Sequence, residues 1–317
     1  MRLYRFILLI AILFLCCNTT TARSADGSPI DSVAATRHRI KKSKPKADTA
    51  VALHILTWNI QMLPRWAVNK EQKLRTKYII ADLMKQDVDV IVFEEVFDVG
   101  IRSILRLALF PKFPFQASVH NKRWSWRQSN GVWIVSRVPI RELKHIFYKS
   151  SHGTDGLANK GAVMIEGVKK GKKFQIVATH LQSRQDSAAQ RVRDAQYEQI
   201  RTELLVPYSK EKVPQLVIGD LNTPKNLSVD YQRMLRTFDM CDAPIADERP
   251  YTWDKSNSWN ADYPEEPNSQ LDYILLNAQK SLTKLGKTFL YRPFIIQKNK
   301  KIDLADHYGV FGEVNLN

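Results

Sequence analysis

The sequence predicts an α/β sandwich that carries its functional residues along one rim of its sheets. Helical segments alternate with buried strand runs for most of the chain, and polar side chains recur at the ends of those strands. Composition agrees: the 317 residues are 44% hydrophobic and 10% aromatic, as in a packed globular protein.

Residues 1–24 read as a signal peptide. Arg2 and Arg5 form a charged start, Phe6 to Phe14 an apolar run too short to span a membrane comfortably, and Ala22-Arg23-Ser24 a small-x-small cleavage pattern. The expectation is export, to the periplasm or out of the cell. Cys16 and Cys17 raise a lipoprotein anchor, but Leu15 stands where such a signal has a small residue, so the plain signal peptide is preferred. Cleavage after Ser24 leaves Cys241 as the one remaining cysteine, which excludes an intrachain disulfide framework and a thiolate-rich zinc site. The formal charge of +16 points to phosphate-bearing partners: nucleic acid, an anionic membrane surface or a polyanionic substrate.

Residues 25–50 are expected to be a disordered basic linker, carrying Arg37-His38-Arg39 and Lys41-Lys42-Ser43-Lys44. An electrostatic tether is the functional alternative. From residue 51 to 317 the pattern is that of a single domain. His54–Ile60 reads as a buried strand and Val88–Phe93 as the next, delivering Glu94 and Glu95 at its end. Between them Asn69 is placed to cap a helix with apolar positions Leu74, Tyr78, Ala81 and Leu83. A short amphipathic helix follows at Ile101–Ala108. Further strands are expected at Val132–Val135, Ile140–Phe147, Gly161–Ile165, Phe174–His180, Gln215–Gly219, Leu271–Leu276 and Val310–Leu316, with a helix over Ser187–Leu205.

Five strand ends offer related chemistry: Asn59, Glu95, His180 with Gln182, Asp220 with Asn222, and Asp306-His307. Carboxylate, carboxamide and water oxygens are the ligands of a hard divalent cation such as Mg²⁺. Each residue alone suits a turn or a satisfied core position. Five such residues at matching strand ends argue for a site. Asp306 and His307 are adjacent on an extended chain and face opposite ways, so Asp306 would hold the imidazole indirectly or a second carboxylate would come from elsewhere.

The ordered set Thr57-Trp58-Asn59, Glu95-Val96-Phe97-Asp98, Asn159-Lys160-Gly161, Thr179-His180-Leu181-Gln182, Gly219-Asp220-Leu221-Asn222, Leu271-Asp272-Tyr273 and Asp306-His307-Tyr308 resembles the endonuclease/exonuclease/phosphatase superfamily. Within it, the chain looks most like the bacterial neutral sphingomyelinases. The resemblance implies a DNase I-like four-layer α/β sandwich, active on one rim of two packed sheets. It also implies hydrolysis of sphingomyelin to ceramide and phosphocholine by a monomeric enzyme at a membrane surface.

Carried over by position, Glu95 and Asn59 take Mg²⁺, with Mn²⁺ or Co²⁺ as alternatives. His307 is the general base, oriented by Asp272 with Asp306 as a further support. His180, Asp220 and Asn222 act on the phosphate and reacting oxygens, and Asp155 and Lys160 form a switch pair. Two departures stand out: Glu94 where an uncharged residue is usual, and Gly309 where a proline often follows. Relatives carry an apolar membrane-inserting hairpin, for which Phe294, Ile295 and Ile296 beside Lys298 and Lys300-Lys301 are the candidates. The competing reading is a secreted Mg²⁺-dependent nuclease of the same superfamily, which the basic charge would suit.

Overall fold

The computed structural model describes residues 33–35, 51–277 and 284–316. The expected signal peptide, residues 1–24, lies outside them, as does most of the expected linker. The strands are β1 (Val33–Ala35), β2 (Val51–Met62), β3 (Val90–Val96), β4 (Phe115–Gln116), β5 (Trp133–Ser136), β6 (Ile140–Phe147), β7 (Gly161–Lys169) and β8 (Lys172–His180). They continue with β9 (Gln215–Asp220), β10 (Cys241–Asp242), β11 (Asp272–Leu276), β12 (Lys284–Tyr291), β13 (Pro293–Gln297), β14 (Lys300–Asp303) and β15 (Gly309–Leu316). Four longer helices are α1 (Gln72–Leu83), α2 (Val99–Leu109), α3 (Ser187–Ile200) and α4 (Ser228–Phe238).

Two six-stranded sheets result, in the orders β12-β15-β2-β3-β5-β4 and β10-β11-β9-β8-β7-β6. Each has one parallel pair, β2 with β3 and β8 with β9, and antiparallel neighbours on both sides. A parallel pair needs a crossover, and α1 and α3 supply the two. The period-2 alternation of the strands sorts their side chains into layers. Leu53, Ile55, Val90 and Val92 meet Ile176, Ile218 and Ile274 of the other sheet. Leu56, Trp58, Ile91 and Phe93 face Ile79, Leu83, Ile101 and Leu105 of α1 and α2. On the far side Val177, Val217 and Tyr273 pack on Tyr197, Ile200 and Met234 of α3 and α4. The result is helix, sheet, sheet, helix, with strands buried on both faces, which is why they read as near-continuous apolar runs.

Several expectations change. Asn69 does not cap α1: its side chain accepts from the Glu71 N–H, and Glu71 itself is the left-handed residue before the helix. β3 runs on through Glu94 and Glu95. Helix α4 has no side-chain cap at Leu227, so the usual start signal is missing from the sequence. Within the stretch read as disordered linker, Val33–Ala35 pairs antiparallel with β13.

β13 and β14 do form a hairpin, turned by Lys298 and Asn299 in the left-handed region. Of the three residues expected to contact a membrane, Ile295 is not available for it. Ile295 is completely buried, packed in the layer beneath α1, while Phe294 and Ile296 are half-buried. Lys301 covers the Phe294 ring, and the exposed tip is Lys298-Asn299-Lys300.

Candidate active site

The parallel pairs fix where the site lies. The carboxyl ends of β2, β3, β8 and β9 open on one rim, and they carry Asn59, Glu95, His180 and Asp220. The antiparallel neighbours run the other way, so their beginnings reach the same rim. β11 begins at Asp272, paired in register with Asp220, and His307 stands just before β15. At Gly219 a Cβ would lie 1.9 Å from the Thr179 carbonyl oxygen, so only glycine lets β9 approach β8 there.

The first sheet's half is rich in oxygen. Asn59 donates from Nδ2 to Glu95 Oε1 at 3.2 Å and to Asp220 Oδ2 at 3.1 Å. Glu95, one residue before the end of β3, has φ at 56°, a left-handed turn that re-aims its carboxylate into the rim. Gln61, also left-handed, donates to Asp306 Oδ2 and receives no partner on its own Oε1 among the described residues. Asp306 Oδ1 is likewise buried and unpartnered. Burial, and then the charge of Asp306, push Glu95 up to about 7. Asp306 is raised too, by burial, with His307 and Arg75 pulling the other way. Orphaned hard oxygens beside two mutually repelling carboxylates are a donor set that fits Mg²⁺.

His307 occupies the centre. Its Nδ1 hydrogen-bonds Asp272 Oδ2 at 2.9 Å, leaving Nε2 toward the pocket, 3.9 Å from Asp220 Oδ2. Its backbone is pinned by the Trp58 indole, which donates to its carbonyl, and by a bridge to Trp253. Burial lowers the imidazole pKa, but the charges of Asp272 and Asp220 and the Asp272 hydrogen bond outweigh it and hold the group well above its ordinary value. Asp306 supports the imidazolium through its charge and not through a hydrogen bond to the ring. Its carboxylate faces Gln61, and Asp272 holds the histidine.

The second sheet's half is basic. Lys160 Nζ lies 2.9 Å from Asp155 Oδ2, 3.1 Å from His180 Nε2 and 2.9 Å from the Leu181 carbonyl. Asp155 also accepts from the Ser183 N–H and hydroxyl, which fixes the turn Gly153–Leu157 that carries it. Burial, then the Lys160 charge, lower His180 to about 3, so the ring is neutral. Its Nε2 therefore accepts from Lys160, which leaves the ring proton on Nδ1. Its Nδ1 has no partner among the described residues. Asn222, left-handed at φ 49°, donates to the Leu181 carbonyl, and its N–H goes to Asp220.

Three contributors were not identified from sequence. Gln61 is one, since its backbone turn leaves no mark in composition. Arg75 is fully buried and donates to the carbonyls of Ile60, Gln61, Lys70 and Leu304, tying the end of β2 to the loop before Asp306. Its signal was there: Gln72, Arg75 and Ile79 share the buried stripe of α1 at helical spacing. The third is a set of exposed aromatics. A pocket of about 1040 Å³ opens from the rim, and Trp66 (83% exposed), Trp126 (78%) and Leu157 stand at its walls, with Trp124 (90%) next to Trp126.

The sequence profile of the Endonuclease/Exonuclease/phosphatase family matches residues 56–294. The chain belongs to this family. Among its members, Sphingomyelinase C 2 of Leptospira interrogans is 32% identical over 83% of this chain and 46% of its own length. The chain spans about half the length of the Leptospira relatives it matches. The crystal structure of sphingomyelinase C from Streptomyces griseocarneus superposes with a TM-score of 0.73 at 25% identity, covering 84% of this chain and all of that one. A beta-toxin variant from Staphylococcus aureus, whose structure holds bound magnesium ions, has the same fold, with a TM-score of 0.72 at 24% identity over 84% of this chain and 100% of that one.

Proposed function

We propose that this chain hydrolyses the phosphodiester of sphingomyelin at a membrane surface, releasing phosphocholine and leaving ceramide. The observation that carries the reading is the His307–Asp272 pair facing the oxygen-rich half of the rim across Asp220. Glu95 and Asn59 would hold Mg²⁺, with Asp306 and Gln61 offering the adjoining oxygens. When bound, the ion supplies positive charge that offsets both the non-bridging phosphate oxygens and the carboxylates that keep His307 protonated.

The chain's own residues then divide the work. Asp272 fixes His307 so that Nε2 takes a proton from the attacking water. Asp220 and Asn222 orient the reacting oxygens. Lys160 has its three donors committed to Asp155, His180 and Leu181, so binding a phosphate oxygen requires exchanging one of them. The Asp155 contact is the exchangeable one, which supports a switch role for that pair.

The membrane-facing surface in this proposal is the mouth of the pocket rather than the β13–β14 hairpin. Trp66, Trp124 and Trp126 stand out from the surface, and the guanidinium groups of Arg123 and Arg127 lie over the Trp124 and Trp126 rings. Aromatic and cationic side chains together suit the headgroup layer. No described helix is long and apolar enough to cross a bilayer, and the proposed association is peripheral. Export, read from residues 1–24, is part of the same proposal.

The deciding experiment measures phosphocholine release from vesicles of sphingomyelin, phosphatidylcholine or lysophosphatidylcholine, with and without Mg²⁺, beside plasmid nicking at low salt. Mg²⁺-dependent release from sphingomyelin is expected. Nicking without phosphocholine release would instead establish the nuclease reading.

A further inference from the structure

We propose a second metal site, for Zn²⁺ or a related borderline transition ion, at His120, Glu142 and His145, on the sandwich edge formed by β4 and β6. Their candidate ligand atoms all lie within 4.8 Å of one another. Glu142 Oε1 is 2.9 Å from His120 Nε2 and 3.0 Å from His145 Nδ1. Two imidazoles and one carboxylate form a nitrogen-rich set that favours zinc, copper or nickel over Mg²⁺.

The backbone explains how these residues meet. On a regular strand, residues three apart point to opposite faces. β6 carries a bulge between Glu142 and Lys144, and as a result Glu142 pairs with Ile165 and His145 with Val163. Ile165 and Val163 both face the space between the two sheets, and Glu142 and His145 share that face with them. His120 comes from the opposite sheet, in the loop after β4, and is fixed there by Asn130, whose side chain accepts its N–H and whose own N–H donates to its carbonyl. The two imidazole rings stack with centroids 3.6 Å apart and planes 12° from parallel, and His120 Nε2 and His145 Nδ1 both reach the Glu142 carboxylate. All three side chains are partly exposed, which leaves the site an entry path and room for a water ligand.

An ion at this position would clasp the two sheets. It would also anchor the loop that carries Trp124 and Trp126, whose Ser125 hydroxyl and Asn121 side chain both accept from Asn159, next to Lys160. The site shares no residue with the proposed active site.

The test is Zn²⁺ binding to EDTA-stripped protein, followed by calorimetry and by the visible absorption of a Co²⁺ substitute. It uses wild type, His120→Ala, His145→Ala and, as a control on the rim, Glu95→Gln. The expected result is one tight equivalent in wild type and in Glu95→Gln, lost in both histidine variants, together with a zinc-dependent rise in Tm that the histidine variants lack. No tight equivalent in wild type, or its persistence in either histidine variant, would overturn the proposal.

Discussion

The two halves of the rim come from topologically similar pieces, a parallel strand pair with a crossover helix, yet they carry opposite chemistry. The β2–β3 half gathers Asn59, Gln61, Glu95 and Asp306 and leaves buried oxygens unpartnered. The β8–β9 half gathers Lys160 and a neutral His180, with the lysine saturated by acceptors. An oxygen surplus calls for a cation, and an ammonium close by calls for an anion. A phosphodiester coordinated from one side and charge-paired from the other fits between them, with His307 and Asp220 at the seam.

The sharpest way to break this picture is at the seam. His307→Ala should lower kcat by about 10²–10⁴-fold, the usual span for losing a general base. Asp272→Asn should lower kcat less and leave KM nearly unchanged, since it removes orientation rather than the base. Steady-state kinetics on sphingomyelin vesicles read both. Equal KM effects with no kcat effect would deny His307 its role.

The next effect tests the support of the oxygen half. Arg75→Met leaves four carbonyls short of a donor, those of Ile60 and Leu304 in buried bonds, and each acceptor orphaned in the interior costs about 1–3 kcal/mol. Urea unfolding should show a loss of at least ~3 kcal/mol. Burial pulls the Arg75 pKa down to about 10, with the charges of Asp306, Glu71 and Glu95 pulling the other way, so the group stays charged at neutral pH. A loss within error would mean that water replaces the guanidinium at those carbonyls.

A smaller effect lies outside both halves. Asp98 caps α2 through the Ile101 N–H and grips Arg65 with both carboxylate oxygens. Burial works against its charge, yet these hydrogen bonds hold it at about 2, below the ordinary 3.8. A carboxylate with a depressed folded pKa stabilises above its unfolded pKa and loses that stabilisation as pH falls toward the folded one. The stability gap between wild type and Asp98→Asn, about 1–2 kcal/mol at neutral pH from the lost carboxylate charge, should therefore shrink between about pH 4 and pH 2. A gap that stays constant over that range would mean the carboxylate's charge is not what stabilises.

The smallest expected change is at the mouth of the pocket. Trp126→Ala should weaken vesicle binding several-fold while leaving turnover of a short-chain soluble substrate unchanged. Vesicle co-sedimentation beside a soluble assay separates the two.

Much of this was legible in the sequence because strands and helices leave periodic marks. The buried runs ending in Asn59, Glu95, His180 and Asp220 needed only their order to suggest a shared rim. Asp272 was readable as the histidine's partner from the family resemblance, with adjacency on a strand arguing against Asp306. What escaped depended on backbone turns and on distant pairing. The left-handed φ of Gln61 and Glu95 re-aims side chains in ways that identity alone does not reveal. The Phe294–Ile296 run looked like an exposed apolar hairpin because the helical layer that buries Ile295 is assembled from residues over two hundred positions away. The bulge that brings Glu142 and His145 together depends on the register against β7, which appears only once the strands pair.

The division of the rim is tested most directly by phosphocholine release as a function of Mg²⁺ concentration in wild type, Glu95→Gln and Lys160→Met. The expected result is a Glu95→Gln midpoint displaced to much higher Mg²⁺, and a Lys160→Met midpoint equal to wild type with a lower rate. An unchanged midpoint in Glu95→Gln, or an equal displacement in both variants, would contradict the account.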